Sequence, residues 1–492
     1  MKTTRHERVS AYVATASAIV VTTVAIVLIL SSAADFSFNI FFITNNSKPE
    51  FQIPIVQLQS KFNLSRRQPS DDYKFRAVIT PDLHKSSMSS SLPLQLNRNR
   101  TFITGRRPLE LELVRARAEI REAASVRNLS QLLRNGDVLS SDIYHNPGEF
   151  YRSYIEMEKK FKIYVYEEGE VPIVHDGPCK DIYTIEGRFI HEMEQGMRGH
   201  NFRTKDAHKA HVYFMPFSVT WMVKYLYKPD TYDVTPLRHF VSDYVRVIST
   251  KHPFWNKTHA ADHFMLSCHD WGPHASKGHP NLYNTSIRVL CNANSSEGFN
   301  PLKDVSLPEI NLRTGNIPPA LLSSPSSTAP RPHLAFFAGG VHGPIRPLLL
   351  HHWRGRDPDL QVYEYLPKNL DYYSFMLASK YCLCPSGYEV ASPRIVESIY
   401  SECVPVIISE NYVLPFSDVL KWEAFSIRVK VSEIGRLKEI LTSVPEEKYL
   451  RLKSNLRGVR RHFVLNQPAE RFDVFHMILH SVWLRRLNLK LE

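Results

Sequence analysis

Short apolar runs alternate with amphipathic stretches from residue 160 onward, and this alternation predicts the fold. In the first half, four runs have the length and the aromatic or β-branched content of strands: 162–167, 211–217, 262–268 and 287–293. Two segments have helical periodicity, 187–197 and 236–250. Residues 316–332 are rich in Pro and Ser, which predicts a linker.

A second, more regular series follows the linker. Strands are predicted at 334–338, 361–365, 381–384, 404–408 and 425–429. Helices are predicted between and after them at 345–353, 371–380, 393–402 and 415–422. Strands that alternate with helices form parallel, doubly wound sheets. The chain therefore predicts an α/β protein with two Rossmann-like domains, 141–315 and 333–465, which face each other across a cleft. A C-terminal helix within 466–492 is expected to pack back toward the first domain.

The N-terminal pattern is different, because residues 9–34 contain no charged side chain. As a helix, residues 11–34 would span roughly 36 Å, enough to cross the hydrocarbon core of a bilayer. Lys2, Arg5 and Arg8 precede the apolar run, so the positive-inside rule places the tail, residues 1–10, in the cytosol. A single-pass type II anchor is predicted. The alternative is a cleaved signal peptide ending near Ser32-Ala33-Ala34, although the apolar run is long for one.

Residues 35–140 are predicted to form a stem that holds the two domains away from the membrane. Most of this segment mixes Ser, Asn, Arg and Pro without sustained periodicity. One charged helix is predicted within it, at 108–128, with Leu113 and Ala116 on its apolar stripe. This helix either belongs to the stem or packs on a domain.

Sequons and cysteines favour a lumenal location for the chain beyond residue 34. Candidate N-glycosylation sites are Asn45, Asn63, Asn99, Asn128, Asn256, Asn284 and Asn294. All six cysteines also follow the apolar segment, where oxidation can occur. The disulfide connectivity is not readable from the sequence. Cys268 with Cys291 is one candidate pair, because both lie in strand-like runs, whereas Cys382 and Cys384 are expected to be small buried apolar residues.

The composition is that of a globular protein with a basic surface. Hydrophobic residues make up 43% of the chain and charged residues 22%, and the net charge is +12. This charge suits an anionic partner such as a nucleotide sugar or an acidic polysaccharide, or it simply solvates the surface. Nucleic acid is not expected as a partner on the lumenal side of a membrane.

Two strand-to-helix loops in the second domain have the residues of an anion site. The first is "AGGVHGPIR" (338–346), in which Gly339, Gly340 and Gly343 let the backbone approach a ligand and Arg346 lies in the first helical turn. Free backbone N–H groups, a helix dipole and a guanidinium together suit a diphosphate. The alternative is a tight turn with a solvated arginine.

The second loop lies in "CLCPSGYEVASPRIVE" (382–397). Ser392 can cap the following helix, and Arg394 and Glu397 share one face of it. We expect the carboxylate of Glu397 to accept ribose hydroxyls, and Ser386 and Gly387 to contact a base or phosphate. The alternative is an ordinary ion pair on a surface turn.

These segments closely resemble the plant exostosin-like glycosyltransferases of glycosyltransferase family 47. The resemblance covers about residues 140–488 and also includes "ADHFMLSCHDWGP" (261–273) and "DVFHMILHSVWLRRLN" (473–488). It implies a GT-B fold, Golgi membrane residence, a UDP-sugar donor bound by the second domain, and inverting transfer to a cell-wall polysaccharide or glycan. Within the two loops it implies donor contacts from Gly339, Gly340, His342, Gly343, Arg346, Ser386, Gly387, Arg394 and Glu397. One departure is Glu402, where the family usually has a small residue, often Gly.

An inverting transfer needs a general base from the first domain, across the cleft from the donor. The strand predicted at 262–268 ends in "CHDWGP", which makes Asp270 the first candidate and His269 its neighbour. His263, at the other end of the same strand, belongs to the family's recurrent Asp-His-Phe and is the second candidate. A buried structural role is the alternative for each of them.

No metal or other cofactor is predicted besides the donor. Asp357 and Asp359 form an Asp-x-Asp pattern, but this pattern lies between a helix and the following strand, at the amino end of the sheet, where a solvated turn is expected. Glu389 and Glu397 have the spacing of the paired glutamates in retaining GT-B enzymes, a spacing that is common by chance.

Two functions remain open from the sequence. The first is a metal-independent Golgi glycosyltransferase, alone or in a complex with other glycosyltransferases. The second is a non-catalytic subunit that binds glycans or acts as a scaffold in a polysaccharide synthase complex. Intact Arg346, Arg394 and Glu397 favour the first, because a binding module has no need of a donor pocket.

Overall fold

The computed structural model of the protein describes residues 107–126, 129–134, 137–195, 202–322 and 330–489. The predicted tail, the membrane anchor and most of the stem lie outside these residues. Among the helices in the described part of the chain, none combines the length and the apolar character that a membrane span needs.

The first domain contains a parallel five-stranded sheet in the order β1-β2-β3-β4-β5. Its strands are β1 (Ile163–Val165), β2 (Val212–Phe214), β3 (His263–Ser267), β4 (Ile287–Leu290) and β5 (Val305–Ser306). On the other edge of β1, Ile163 exchanges hydrogen bonds of 2.7 and 2.8 Å with the backbone of Phe202 and Thr204. The chain thus first pairs with one edge of β1 through residues 202–204, and then forms β2 on the opposite edge.

The second domain also contains a parallel five-stranded sheet, in the order β10-β9-β8-β6-β7. Its strands are β6 (His333–Ala338), β7 (Leu360–Tyr363), β8 (Ser379–Pro385), β9 (Val404–Ile408) and β10 (Ile427–Arg428). The strand order reverses between β6 and β8. In such sheets, ligands bind outside the carboxyl ends of the strands at the point of reversal. The prediction of an α/β fold with two parallel sheets is confirmed.

Helices connect and flank the strands. In the first domain they are α1 (Arg107–Ala124), α2 (Pro147–Lys160), α3 (Thr184–Gln195), α4 (Val219–Leu226), α5 (Thr235–Lys251), α6 (Phe254–Lys257), α7 (Gly272–Ser276) and α8 (Pro280–Asn284). From the linker onward they are α9 (Pro319–Leu322), α10 (Ile345–Trp353), α11 (Tyr372–Leu377), α12 (Pro393–Tyr400), α13 (Leu437–Thr442), α14 (Glu446–Arg460) and α15 (Val474–Asn488). The periodicity of the sequence did not reveal α2 or the two-residue strand β5.

The helix predicted at 415–422 is wrong. Residues 415–419 form a turn, and the apolar side chains of Phe416 and Leu420 are buried in the junction between the domains. The backbone N–H of Val413 donates to the carbonyl of Ala293 at 3.0 Å, and Ser306 Oγ donates to the carbonyl of Val413 at 2.6 Å. Docking on the carboxyl ends of β4 and β5 fixes this segment in an irregular conformation.

Helix α1 is a packing helix and belongs to the folded body rather than to a stem. Leu113 and Ala116 on its apolar stripe are fully buried. Arg117 Nε donates to the carbonyl of Leu487 in α15 at 2.6 Å. Helix α15 in turn lies on the first sheet, where Arg486 Nε donates to the carbonyl of His211 at 2.9 Å.

Four cysteines form two disulfides, one in each sheet. Cys268 and Cys291 join the segments that leave β3 and β4, with Cα atoms 4.6 Å apart, as the candidate pairing supposed. Cys382 and Cys403 join β8 to the start of β9, with Cα atoms 5.6 Å apart. The expectation for Cys382 was therefore wrong, because a partner lies within bonding distance. Cys384 is a buried free cysteine, as expected.

Candidate functional site

The glycine-rich loop after β6 packs directly against the loop after β8. Gly343 has a φ of 67°, and a Cβ there would overlap the carbonyl oxygen of Gly387. A Cβ on Gly339 would overlap the guanidinium of Arg394. Close approach thus accounts for both glycines, and at Gly343 the left-handed backbone conformation does so as well. The two predicted loops form one structure at the point where the strand order reverses.

Arg346 projects from the first turn of α10 into this loop junction. Its side chain is 8% exposed, and Nη1 donates weakly to the carbonyl of Gly340 at 3.4 Å. The buried Nε has no hydrogen-bond partner among the described residues. Burial and the neighbouring charge of Arg394 lower the pKa of Arg346 to about 10, so that it stays protonated at neutral pH. Arg346 is therefore a desolvated cation with N–H groups that remain free to donate hydrogen bonds.

Arg394 is held more firmly than Arg346. Its Nε and Nη2 donate to the carbonyl of Ala338 at 3.3 and 2.8 Å, and its guanidinium stacks 5.1 Å from the centre of the Phe337 ring. Its Nη1 donates to Ser392 Oγ at 3.4 Å. Ser392 occupies the N-cap position of α12 but makes no side-chain cap. The prediction of a serine cap is wrong, because Arg394 takes the hydroxyl.

Glu397 is almost fully buried on the same face of α12. Its Oε2 accepts a hydrogen bond from the Tyr372 hydroxyl at 3.1 Å. Burial raises the pKa of Glu397, and the nearby Arg394 opposes this shift. Ser386 is buried and shares a hydrogen bond of 2.6 Å with Ser409. The His342 side chain is exposed at the surface, and its ring centre lies 5.1 Å from that of Tyr388. The part of the imidazole that is buried and the nearby charges of Arg346 and Arg394 lower the pKa of His342.

His263 does not reach this region. It lies at the amino end of β3 with 0% of its surface exposed. Its Nε2 bonds the Tyr166 hydroxyl at 2.8 Å, and its Nδ1 bonds Asp262 Oδ1 at 2.9 Å. A base must touch the acceptor hydroxyl, and a fully buried imidazole with both nitrogens occupied at the opposite end of the strand cannot do so. The structure therefore contradicts His263 as a catalytic candidate.

His269 and Asp270 follow the carboxyl end of β3, where the sequence placed them. Burial lowers the pKa of His269 to about 4, and its Nδ1 accepts a hydrogen bond from the backbone of Trp271 at 3.1 Å. The imidazole is thus neutral and already bonded. Burial raises the pKa of the Asp270 carboxyl group, and the nearby Tyr183 hydroxyl opposes the shift. Asp270 remains a candidate base, and the role of His269 stays a prediction.

Glu186, in the first turn of α3, was not identified from the sequence. Its buried carboxylate accepts hydrogen bonds from the loops after β2 and β3. The donors are Ser218 Oγ (2.5 Å), Thr220 N (2.9 Å), Ser267 Oγ (3.3 Å), Cys268 N (2.8 Å) and His269 N (3.4 Å). Burial raises the pKa of Glu186, and the hydrogen bonds from these donors oppose the shift. Glu186 therefore positions the loop that carries Asp270.

Glu309 was also not identified, because β5 is too short to produce a period-2 pattern. It follows Ser306 by three residues and is 6% exposed. The charges of Asp270, Arg394, Arg346 and Glu397 all act on its carboxyl group. These residues come from both domains and from three different loops. Charged groups at the carboxyl ends of the two sheets are therefore close enough to interact with one another.

The two aspartates of the Asp-x-Asp pattern are engaged elsewhere. Lys438 Nζ lies 2.7 Å from Asp357 Oδ2 and 2.9 Å from Asp359 Oδ2, in a turn that precedes β7. An aspartate pair neutralised by lysine is not a cation site. Across the described ranges, no group of His, Cys, Asp or Glu has an arrangement that suits a metal ion.

Among the predicted glycosylation sites, Asn256 and Asn284 are exposed. Asn294 is 9% exposed, and its Nδ2 donates to Glu297 Oε1 at 2.9 Å while its Oδ1 accepts from Ser296 N at 3.1 Å. It also pairs with Tyr412 across the domain junction, so the structure contradicts Asn294 as a glycan acceptor. The four remaining asparagines, Asn45, Asn63, Asn99 and Asn128, lie outside the described residues.

Comparison with known proteins gives a family and several relatives for this sequence. The family model described as "Exostosin GT47 domain" matches residues 157–444. "Probable glycosyltransferase At5g25310" of Arabidopsis thaliana is 56% identical over 473 residues, which cover 95% of this chain and 96% of that protein. "Probable glucuronosyltransferase GUT1" of Oryza sativa subsp. japonica is 28% identical over 362 residues, which cover 66% of this chain and 81% of that protein.

Among solved structures, the likeness is remote. The crystal structure of Anabaena Alr3699/HepE in complex with UDP-glucose aligns with a TM-score of 0.32 and 11% identity, over 56% of this chain and 78% of that one. This similarity is too weak to carry an argument about the site. The family model covers more than half of the sequence, and close relatives align along almost its whole length. The chain belongs to the exostosin GT47 family.

Proposed function

We propose that this protein is an inverting glycosyltransferase that transfers a sugar from a UDP-sugar to a cell-wall polysaccharide or glycan acceptor. It acts in the Golgi lumen, anchored as a single-pass type II membrane protein. The names of its relatives support the general activity. The two disulfides support an oxidising compartment, since disulfides are rare in the cytosol. No metal is required for this proposal.

One observation carries the donor assignment. At the reversal point of the second sheet, Arg346 is buried in the junction of two interlocked loops and keeps a free Nε. A cation desolvated at that position favours an anionic ligand, and a guanidinium can donate to two phosphate oxygens at once. Glu397, with Tyr372 at its side, can accept the two hydroxyls of a ribose. Together they suit a nucleoside diphosphate with its sugar directed into the cleft.

The reaction follows from this arrangement as a single displacement. An acceptor hydroxyl attacks the anomeric carbon from the face opposite the diphosphate, and its proton passes to a carboxylate of the first domain. The bond between the anomeric carbon and the diphosphate oxygen breaks, and that oxygen keeps the electron pair. Arg346 stabilises the negative charge that develops on the diphosphate. The attack from the opposite face inverts the anomeric configuration.

Donor binding provides the direct test. The purified full chain is screened against a panel of UDP-sugars by thermal unfolding, because a ligand that binds only the folded state raises the melting temperature. We expect stabilisation of the wild type and loss of that shift in Arg346→Ala. Release of UDP should fall at least about 100-fold in the variant.

Arg354→Ala is the matched control, because Arg354 lies just beyond the end of the same helix, is exposed and pairs only with Glu364. It should bind donor as the wild type does. Equal, non-zero UDP release by wild type and Arg346→Ala would refute the donor assignment. Absence of UDP binding in the wild type would instead favour the non-catalytic scaffold.

A further inference from the structure

We infer that Glu309 is the general base that removes the proton from the acceptor hydroxyl. This inference rests on the proposed function and goes beyond it, because the sequence pointed to Asp270. Glu309 lies three residues beyond β5, at the carboxyl edge of the first sheet. Its backbone is fixed by a buried segment that includes Leu307 and Ile310. A carboxylate on this edge faces the donor loops of the second domain.

Its hydrogen bonding sets Glu309 apart from the other buried carboxylates. Each of the others has a donor: Lys160 for Glu156, five groups for Glu186, Thr258 for Asp262, Arg288 for Asp304, Tyr372 for Glu397, Arg457 for Glu402 and the backbone of His476 for Asp473. Glu309 has no hydrogen-bond partner within the part of the chain that the structure describes. Its oxygens are not among the fully enclosed side-chain atoms that lack a partner, so they are open to solvent and can receive a substrate group.

Burial and the surrounding charged groups together set the basicity of Glu309. The groups of the first domain that interact electrostatically with it are Asp270 and Tyr183. Those of the second domain are Arg346, Arg394, Glu397 and Tyr412. Burial and the charge of Asp270 raise the pKa of Glu309 to about 8, although both arginines oppose the shift. A base is most effective when its pKa lies near the working pH.

The proton balance of the step is then complete. As the acceptor oxygen bonds to the anomeric carbon, its proton moves to the carboxylate of Glu309. The electron pair of the broken bond goes to the diphosphate beside Arg346. Asp270 does not touch the acceptor in this assignment. It is a positioning residue, and its negative charge increases the proton affinity of Glu309.

Three variants of the full chain separate these roles. We expect Glu309→Gln to lose transfer by about 10³-fold, because a positioned base contributes roughly 10² to 10⁴ in rate. UDP binding, followed by thermal shift, should remain within a few-fold of wild type, because Glu309 lies on the acceptor side. Glu447→Gln, the same change on an exposed helix position, should alter neither quantity.

The pH profile identifies the base. In the wild type, kcat/KM should rise with pH and level off near the pKa of Glu309, about 8. Asp270→Asn removes the negative charge that raises this pKa, so the ascending limb should move to lower pH while measurable transfer persists. A merely structural Glu309 would not produce this displacement.

The outcomes are distinct. If Asp270→Asn abolishes transfer and Glu309→Gln retains more than a tenth of it, Asp270 is the base and the inference is overturned. The same holds if the ascending limb does not move in Asp270→Asn. If the wild type neither binds nor hydrolyses UDP-sugars, the proposed function itself is refuted. This result is obtained without any Glu309 variant, so it can be told apart from a failure of the Glu309 assignment.

Stability provides a second readout that does not depend on turnover. The folded state raises the pKa of Glu309 above its ordinary value, so it favours the protonated form. Stability associated with this group is therefore fully present below pH 4.5 and is lost as pH rises toward 8. Glu309→Gln should unfold at a higher temperature than the wild type at pH 8, with a smaller difference at pH 5. A structural carboxylate would show the opposite result.

Discussion

The carboxyl edges of the two sheets meet in the cleft, and they carry different charged groups. On the second sheet, two arginines, Arg346 and Arg394, lie near the carboxyl group of Glu397, and Arg394 is held by a main-chain carbonyl and an aromatic ring. On the first sheet the charged groups are carboxylates, and Glu186 is held by main-chain N–H groups. Each edge uses backbone polarity to fix one charged residue firmly. Each edge also has one charged residue whose hydrogen-bonding groups are not fully used, Arg346 on the second sheet and Glu309 on the first.

This difference teaches how the work is divided between domains of similar topology. The cationic edge is formed by close contact between two loops, so its geometry is set by glycines. The anionic edge is formed by a buried carboxylate that ties separate loops together, so its geometry is set by hydrogen bonds. Substitutions can disrupt one edge at a time, and they are described from the largest expected effect to the smallest.

Gly343→Ala should have the largest effect, because it acts on the donor edge through the backbone. The new Cβ would overlap the Gly387 carbonyl, and φ at this position is 67°. We expect a loss of about 5 kcal/mol in unfolding free energy and no detectable UDP binding. Chemical denaturation and thermal shift with UDP measure the two effects.

Gly355→Ala is the control for Gly343→Ala. Its φ is 64°, but no atom lies within 4 Å of the position of the added Cβ. It should lose only about 1 kcal/mol and keep donor binding, since the left-handed conformation is its only cost. Similar losses in the two variants would show that backbone conformation, and not the contact between the loops, explains the glycine at 343.

Glu186→Ala breaks the acceptor edge. The loss of a carboxylate that accepts five hydrogen bonds leaves buried donors without partners, so we expect a destabilisation of about 4 kcal/mol. Glu192→Ala, on the same helix, should change stability by less than about 0.5 kcal/mol. A fall in UDP affinity per folded molecule, measured by calorimetry at low temperature, would contradict the separation of the two edges.

The two disulfides sharpen the comparison, because their loops have nearly equal length, with sequence separations of 23 and 21 residues. Removal of either, by paired Cys→Ala changes, should cost about 3 kcal/mol. Only loss of Cys268–Cys291 should also lower transfer, since Asp270 follows Cys268 by two residues, whereas Cys403 lies at the amino end of β9. Equal activity losses at equal folded fractions would contradict this expectation.

Glu402→Gly should have the smallest effect and the opposite sign. Glu402 follows the end of α12 with a φ of 51°, which explains why the family usually has a small residue there. The desolvation cost of the buried Glu402 carboxylate, whose Oε2 has no partner among the described residues, offsets its ion pair with the half-exposed Arg457. Relief of the left-handed conformation should stabilise the protein by about 1 kcal/mol in denaturant titrations. A loss of stability would show that the ion pair outweighs the backbone strain.

The donor loops could be predicted because their signals are local. Glycines at a strand end, a proline at a helix start and an arginine one turn later occupy a few consecutive residues, and chain order alone brings β6 and β8 together. The resemblance to a family added the roles. Nothing in this reasoning depended on contacts between distant segments.

The acceptor side could be predicted only in part, because its geometry depends on such contacts. Asp270 follows a long strand, whereas Glu309 follows a strand of two residues, and Glu186 acts from a helix on loops more than thirty residues away. The failed helix at 415–422 has the same cause. Its apolar residues pack across the domain junction rather than along one helical face.

The contact between the first and last described helices limits how the protein can be shortened for expression. Helix α1 binds the end of α15 through Arg117 and the carbonyl of Leu487, and Glu110 pairs with Arg486. A chain that begins after residue 124 would leave the apolar faces of α2 and α15 without cover, and a cut before 489 would do the same to α1. A secreted version made for crystallisation should include all residues from Arg107 to Leu489.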